Sequence, residues 1–440
     1  MSRRLTIGAF SLLAVFVILK FWLWSPPKCP SKFFERHGDL PGCETISAGN
    51  DISADGLRVA GYSSADETST PNDCTDALHK NEATGWTRHC ASGPSFWPGK
   101  PQGLIGLGYL PSPAEGSLAY GISPDGLVSV GISDETLNHN VAVVFLPAGV
   151  KKLVLPTGQV IATAADVSSA SINDPPTGAD WGVEDPPLMR GRIVVGWTSE
   201  GGNYPFYVAG GHAVFWKSWT SVVFLTLPAL PNAQRIISSE ANSVSDTAMR
   251  IGGALYYNIR GEAANYRSYP CVWRFSGGGY VPEVLNDLDG GDTNARITHI
   301  SGDGKVAVGW GTVGEGDSLC YAYPKIACKW VNDGTAWGNP IPLKPLPDFP
   351  YSSASGTNED GSVVAGTSFS YECASGDFQA RATLWHGNAN LDIAGKLGKK
   401  ATAGIILWEA KRVSRDGAIV TGYSWDDSMT TQDGWTAGLK

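Results

Sequence analysis

The chain has 440 residues, a formal net charge of −9, a hydrophobic content of 42% and a charged fraction of only 17%. The length and apolar share allow a sizeable core, and the acidic balance without a basic stripe argues against a nucleic-acid partner. Gly (54), Pro (28) and Trp (16) are plentiful, which suits tight turns and large aromatic plugs and suits long helices badly.

The first predicted element is a membrane segment. Arg3 and Arg4 precede a nearly unbroken apolar run from Leu5 to Trp24, interrupted by Lys20. That run is long enough to span a bilayer as a helix, and the arginine pair predicts a cytoplasmic start. A cleaved signal peptide is the rival reading. Phe21-Trp22-Leu23-Trp24-Ser25-Pro26-Pro27 lacks small-x-small cleavage chemistry, so a retained anchor over residues 1–25 is favoured. Residues 26–37 read as a Pro- and Cys-containing linker. The rest of the chain is expected in the periplasm or on the cell surface, and secreted if the segment is cleaved.

From there the chain repeats one pattern: an apolar strand, an Asp-Gly turn, then alternating Val/Ala/Ile residues closing on Gly. Full copies are Ile52-Ser53-Ala54-Asp55-Gly56, Ile122-Ser123-Pro124-Asp125-Gly126, Ile300-Ser301-Gly302-Asp303-Gly304, Asn358-Glu359-Asp360-Gly361 and Val413-Ser414-Arg415-Asp416-Gly417. Degenerate copies stand at Val167-Ser168 and Val244-Ser245-Asp246. The closing glycines are Gly61, Gly131, Gly196, Gly252, Gly309, Gly366 and Gly422, so the last four intervals are 56 or 57 residues. Short strands at that period predict an all-β, seven-bladed β-propeller over residues 38–440, preceded by the transmembrane helix. Each repeat reads as a four-stranded meander whose third strand carries Trp97, Phe145, Trp216, Trp273, Trp330, Trp385 or Trp435 in turn. The last repeat lacks room for a fourth strand, and Gly38-Asp39-Leu40-Pro41-Gly42 offers the missing piece, which would seal the ring. Ser63–Pro94 reads as a long insertion between the second and third strands of copy one. Ser171–Arg190 interrupts the turn of copy three and is expected on the opposite face.

These repeats resemble the HAF family of probable extracellular repeats of exported bacterial proteins. The resemblance rests on Ile-Ser-x-Asp-Gly followed by Val-x-Gly, and on His212-Ala213-Val214-Phe215-Trp216. It covers nearly all of residues 38–440 and implies a repeat architecture without an activity.

Candidate sites are few. The repeated aspartates fit turn formation better than metal or acid chemistry, because they recur wherever a hairpin must form. The repeat tryptophans fit packing between blades. Trp86, Trp181 and Trp337 fall outside the pattern and are the ligand-binding candidates. Asp287, Asp289 and Asp292 offer carboxylates at a spacing that suits Ca²⁺, the one metal candidate, although the closing Glu of a full calcium loop is missing. No other cofactor is expected. Eight cysteines (Cys29, Cys43, Cys74, Cys90, Cys271, Cys320, Cys328 and Cys373) are compatible with disulfides in an oxidising compartment. Cys29–Cys43, Cys74–Cys90 and Cys320–Cys328 are the local pairings; Cys271–Cys320 and Cys328–Cys373 would instead tie adjacent blades. No nucleophile elbow, zinc-protease or phosphate-loop motif is present, so no catalytic residue is assigned. The reading is a membrane-anchored extracytoplasmic binding or scaffold module. It presents variable loops on one face to an envelope or membrane protein partner. A carbohydrate-binding or carbohydrate-cleaving propeller, with a glycan as partner, is the alternative.

Overall fold

The computed structural model describes residues 32–40, 46–65, 80–88, 96, 102–111, 116–136, 139–169, 181, 187–200, 211–230, 236–258, 266–288, 294–313, 324–372 and 377–439. Their strands form seven four-stranded antiparallel sheets, each pairing in chain order except the last. The inner strands of blades 1 to 7 are Ser47–Ile52, Ser117–Ile122, Ile161–Val167, Ile236–Val244, Arg296–Ile300, Tyr351–Thr357 and Ile405–Val413. The chain is a seven-bladed β-propeller, as the repeat period predicts. The expected membrane segment lies outside the described residues; among those described, no helix is long and apolar enough to cross a membrane.

Closure uses the N-terminus, but with a different segment from the one expected. Lys32–Arg36, assigned above to the linker, is the outer strand of blade 7, pairing Lys32 with Leu439 through to Arg36 with Trp435. Residues 38–40 follow it as irregular chain. The alternation of Phe33, Phe34 and Arg36 carries the reason. Phe34 packs on the last interblade core beside Trp435, Phe33 lies under Arg88, and Arg36 pairs with Asp433. Gly38-Asp39 offers no apolar side chain to bury.

The Asp-Gly turns have the role assigned to them. In blade 1 the Ser53 hydroxyl donates to Asp55 Oδ1 (2.6 Å) and accepts from the Arg58 amide (3.0 Å), while Asp55 also accepts from the Leu57 amide. The same bonds recur at Ser123/Asp125, Ser301/Asp303, Asn358/Asp360 and Ser414/Asp416. The turn needs a positive φ at its fifth residue, which Gly accepts without strain; Gly56 has φ 70°. Blade 4 departs from this, placing Ala248 there at φ 58°. In blade 3 the turn is completed beyond the insertion by Gly191, with the Ile193 amide donating to Ser168 Oγ.

The aromatics plug the interfaces between blades. Trp216, Trp273, Trp330 and Trp385 are fully buried, and each indole N–H donates to a backbone carbonyl of the preceding blade (Val154, Thr226, Asn286 and Lys344) at 2.6–2.8 Å. Two corrections concern register. In blade 1 the third strand is Lys80–Thr87, within the stretch taken as an insertion, and its aromatic is Trp86 rather than Trp97, which lies outside the described residues. Ala83-Thr84-Gly85-Trp86 carries the same small-residue spacing as Pro94 to Trp97, so the pattern fits both. In blade 4 the close-approach glycine is Gly253, opposite Ala241, rather than Gly252.

Candidate functional site: the central channel

Every inner strand carries one register irregularity near its C-terminal end: between Gly49 and Asp51, Ala119 and Gly121, Ala164 and Asp166, Ala241 and Ser243, Ile297 and His299, Ala354 and Gly356, and Ala410 and Arg412. A bulge leaves one residue unpaired and re-aims it. The skipped residues are Asn50, Tyr120, Ala165, Asn242, Thr298, Ser355 and Lys411, and all seven line a cavity of about 370 Å³ in the channel. Neither hydrophobic period nor turn chemistry announces this ring, because a bulge shifts the alternation by one only after the strand is paired.

The next residue of each strand forms a second ring, and here the channel becomes charged. Asp51 Oδ2 accepts the Ile122 amide of blade 2 (2.8 Å), and its Oδ1 accepts the Ile52 amide (2.9 Å). Asp166 Oδ2 accepts the Val244 amide and the Ser243 hydroxyl of blade 4 (both 2.9 Å), and its Oδ1 accepts the Val167 amide (2.7 Å). Ser243 Oγ accepts the Ile300 amide of blade 5, and His299 Nδ1 accepts the Thr357 amide of blade 6 (both 3.2 Å). These four side chains therefore stitch blades 1, 3, 4 and 5 each to the next. Gly121 and Gly356 have no side chain to do so. Arg412, which cannot accept, donates to the Ser355 carbonyl and faces Asp51 Oδ1 at 3.5 Å.

Burial sets the protonation of this ring. Burial, reinforced by the nearby Asp51 carboxylate, pushes Asp166 up to about 7. Burial likewise raises Asp51, against the pull of Arg412 and its amide donors. Burial, then Arg412, holds the His299 imidazole well below its ordinary value. A neutral imidazole is what the geometry needs, since Nδ1 accepts a hydrogen bond. In the wider cavity, burial alone would raise Glu409. Lys411 at 2.9 Å, with hydrogen bonds from Ser355 (2.6 Å) and Tyr423, outweighs it and holds the carboxyl low.

Beyond the charged ring lies a smaller space of about 70 Å³, reaching to the Asp-Gly turns. Arg415 of blade 7 crosses this end of the channel to pair with Asp246 of blade 4, and its Nε pairs with Glu359 of blade 6 at 2.8 Å. Around the same end, backbone amides donate to carbonyls of the next blade: Ala54 to Pro124, Ser169 to Asp246, Asp246 to Gly302, Asp303 to Glu359, Glu359 to Arg415 and Arg415 to Ala54, at 2.8–3.2 Å. The bond from blade 2 to blade 3 is missing from this circle because Pro124 has no N–H. Buried Arg192 stands in, donating to Asp125 across that interface and to the Ser168 carbonyl. Burial would raise Asp125, but Arg192 and the Ser123 hydroxyl hold it below the usual carboxylate range.

The residues singled out from sequence do not converge here. Trp86 is 3% exposed and stacks on His37 at 4.5 Å, and Trp181 is 4% exposed, donating to the Arg192 carbonyl; neither offers a face to a ligand. Trp337 is half-buried, donating to Glu283 (3.1 Å) with Arg250 over its ring. Asp287 accepts the Leu288 and Asn294 amides, as a polar turn does; Asp289 and Asp292 lie outside the described residues. Among the described residues, no group of three metal-ligating side chains gathers. Cys271 and Cys328 are free, buried thiols on third strands, so neither of the adjacent-blade disulfides nor Cys320–Cys328 forms. Their side chains belong to separate interblade cores. The other six cysteines lie outside the described residues.

No protein-family model matches the chain, and no curated protein matches it. Among solved structures it is similar to the β-propeller domain of the trilobed protease from Pyrococcus furiosus, at 12% identity over 90% of this chain and 96% of that one, with a TM-score of 0.43. It is also similar to the Dos1 propeller (10% identity, 93% and 95% covered, TM-score 0.40). Hydrazine synthase from Kuenenia stuttgartiensis gives 9% identity, 90% and 98% covered, and a TM-score of 0.42. These scores carry no argument about function, and the fold stands on the strand pairing of this chain.

Proposed function

We propose that this propeller is an extracytoplasmic binding or scaffold module, held at the membrane by residues 1–25 and presenting its loop face to an envelope or membrane protein. One observation carries the reading: the buried carboxylates of the channel are spent on holding blades together. Asp166 accepts three hydrogen bonds and Asp51 accepts two while facing Arg412, so the oxygens of both are engaged by their own and the neighbouring blades. A disc tied in this way holds its loops in fixed relation, so little ordering cost falls on the binding step. The HAF resemblance, with its exported repeats, fits the same role.

A pull-down of the tagged full-length protein from native membranes in mild detergent, read by mass spectrometry and stoichiometry, tests this. A stoichiometric partner that survives washing is the expected outcome. A partnerless protein that turns over a substrate would sink the proposal. Carbohydrate recognition is the second reading, favoured by one surface of blades 6 and 7.

A further inference from the structure

At the loop end of the channel, blades 6 and 7 carry aromatic side chains beyond those that plug their interface. Tyr351 opens the inner strand of blade 6 directly opposite Phe369 on the second strand, and Tyr371, two residues on, stands opposite Phe378 on the third. Directly opposed residues and residues two apart share a face of the sheet. That face is turned toward blade 7, since Thr367, also on it, donates to the Trp408 carbonyl at 3.0 Å. Phe378 lies 5.5 Å from Phe369 and 5.4 Å from Trp408, with the rings inclined by only 20° and 30°. Trp425 closes the run at 6.5 Å from Trp408.

Interblade packing accounts for the stacking of Phe378 on Trp408 but not for the exposed part of this run. The same interface already has a buried core of Leu384, Leu407, Val420 and Trp435. Phe378 and Tyr371, by contrast, are 43% and 37% exposed. A contiguous exposed aromatic surface beside a cavity marks a binding surface.

The chemistry of the adjoining cavity selects the occupant. The aromatic face runs into it through Ser353, two residues beyond Tyr351. Its charges each face an opposite one: Lys411 with Glu409 at 2.9 Å, Arg296 with Glu240 at 2.6 Å, and Arg412 with Asp51 at 3.5 Å. The surface is thus polar but without spare charge, which disfavours a charged peptide or an anionic headgroup. A ligand with one apolar face and a rim of hydroxyls satisfies both halves. The cavity, at about 370 Å³, is at the small end for ligand sites. We infer that this surface binds a neutral oligosaccharide, with a terminal unit in the cavity and the following units lying on Phe378 and Trp408. The inference rests on the binding-module reading above and names its ligand class.

The full-length protein, purified without glycoside detergents, is titrated with cellohexaose, chitohexaose and maltohexaose by calorimetry and tryptophan fluorescence. Saturable binding of at least one is expected, weakened about tenfold by Phe378→Ala and by Tyr371→Ala. Phe224→Ala, at an equally exposed position on the outer strand of blade 3, leaves it unchanged. Silence with all three sugars at low-millimolar concentration, or equal affinity of the Phe378 and Phe224 variants, overturns the site. Silence together with a stoichiometric protein partner overturns the sugar site and leaves the module reading standing. Sugar binding by a protein that captures no partner upholds the site and removes the protein-partner reading.

Discussion

At the turn end of the channel, seven variants of one turn stand in a circle, joined amide to carbonyl at six interfaces and through Arg192 at the seventh, with Arg415 crossing the opening to Asp246 and Glu359. At the loop end the channel widens, its lining differs from blade to blade, and exposed aromatics collect on one side. The sequence repeats where the geometry must repeat. A turn that bonds to its neighbour on each side tolerates little change, and where it does change a compensating group appears, as Arg192 does opposite Pro124. Loops that bond to nothing in common are free to differ.

The walls between the two ends give the largest expected effect. A Cβ on Gly309 would lie 1.9 Å from the Arg296 carbonyl oxygen, and equivalent glycines in the other blades meet the same obstacle. Gly309→Ala should cost about 3 kcal/mol or more, read as a lowered urea midpoint. Arg192→Met attacks the turn end at its one interface without a backbone bond. It should cost about 2–3 kcal/mol, because three acceptors lose their donor while the half-exposed Asp125 regains water. A loss no larger than that of an exposed arginine would show that the circle closes without it.

The charged ring between the two ends makes opposing contributions to pH dependence. Asp166, raised to about 7, adds stability that is complete below its unfolded value near 3.8 and lost as pH rises through 7. His299, lowered by burial, adds stability that is present above about 6.5 and lost as pH falls. Between about pH 4 and 6.5 the two slopes oppose each other. Asp166→Asn should therefore tilt the stability profile upward with pH, by on the order of 2 kcal/mol across that window, and His299→Gln should tilt it downward. Chemical unfolding at a series of pH values reads both; parallel profiles for the two variants would contradict the assignment. The smallest effect belongs to the crossing pair. Arg415→Gln should cost about 1 kcal/mol or less, because Arg415 is half exposed, and the cost should shrink further in high salt.

The period of the glycines, the turn residues and one aromatic per repeat made seven blades legible, because each follows from local chemistry. Asp-Gly forms its own hairpin, and a tryptophan must be covered by something. Where two segments satisfied the same local rule, sequence spacing could not choose between them. Trp86 and Trp97 both follow a small residue by three positions, and only pairing with Arg58–Ala65 assigns the strand to Trp86. The closing strand was legible as a need, met from the N-terminus, and was placed six residues too late. Its partner is the far end of the chain, and burial of Phe34 against Trp435 decides the register.

The candidate site was less visible still. Asp51, Asp166, His299 and Arg412 each stand one residue before the apolar-Ser pair of their repeat, but their side chains share no chemistry that marks that position as a ring. They meet because each is the residue after a bulge, at the same height on a different inner strand. The aromatic face of blades 6 and 7 has the same origin, drawn from five strands across two repeats. Sequence by itself determined the repeat unit, its number and its turns, since those depend on interactions within a few residues of one another. Ring closure, channel charge and the aromatic face of blades 6 and 7 were decided by tertiary structure alone, because they depend on which distant strands share an edge and on how deeply each group is buried.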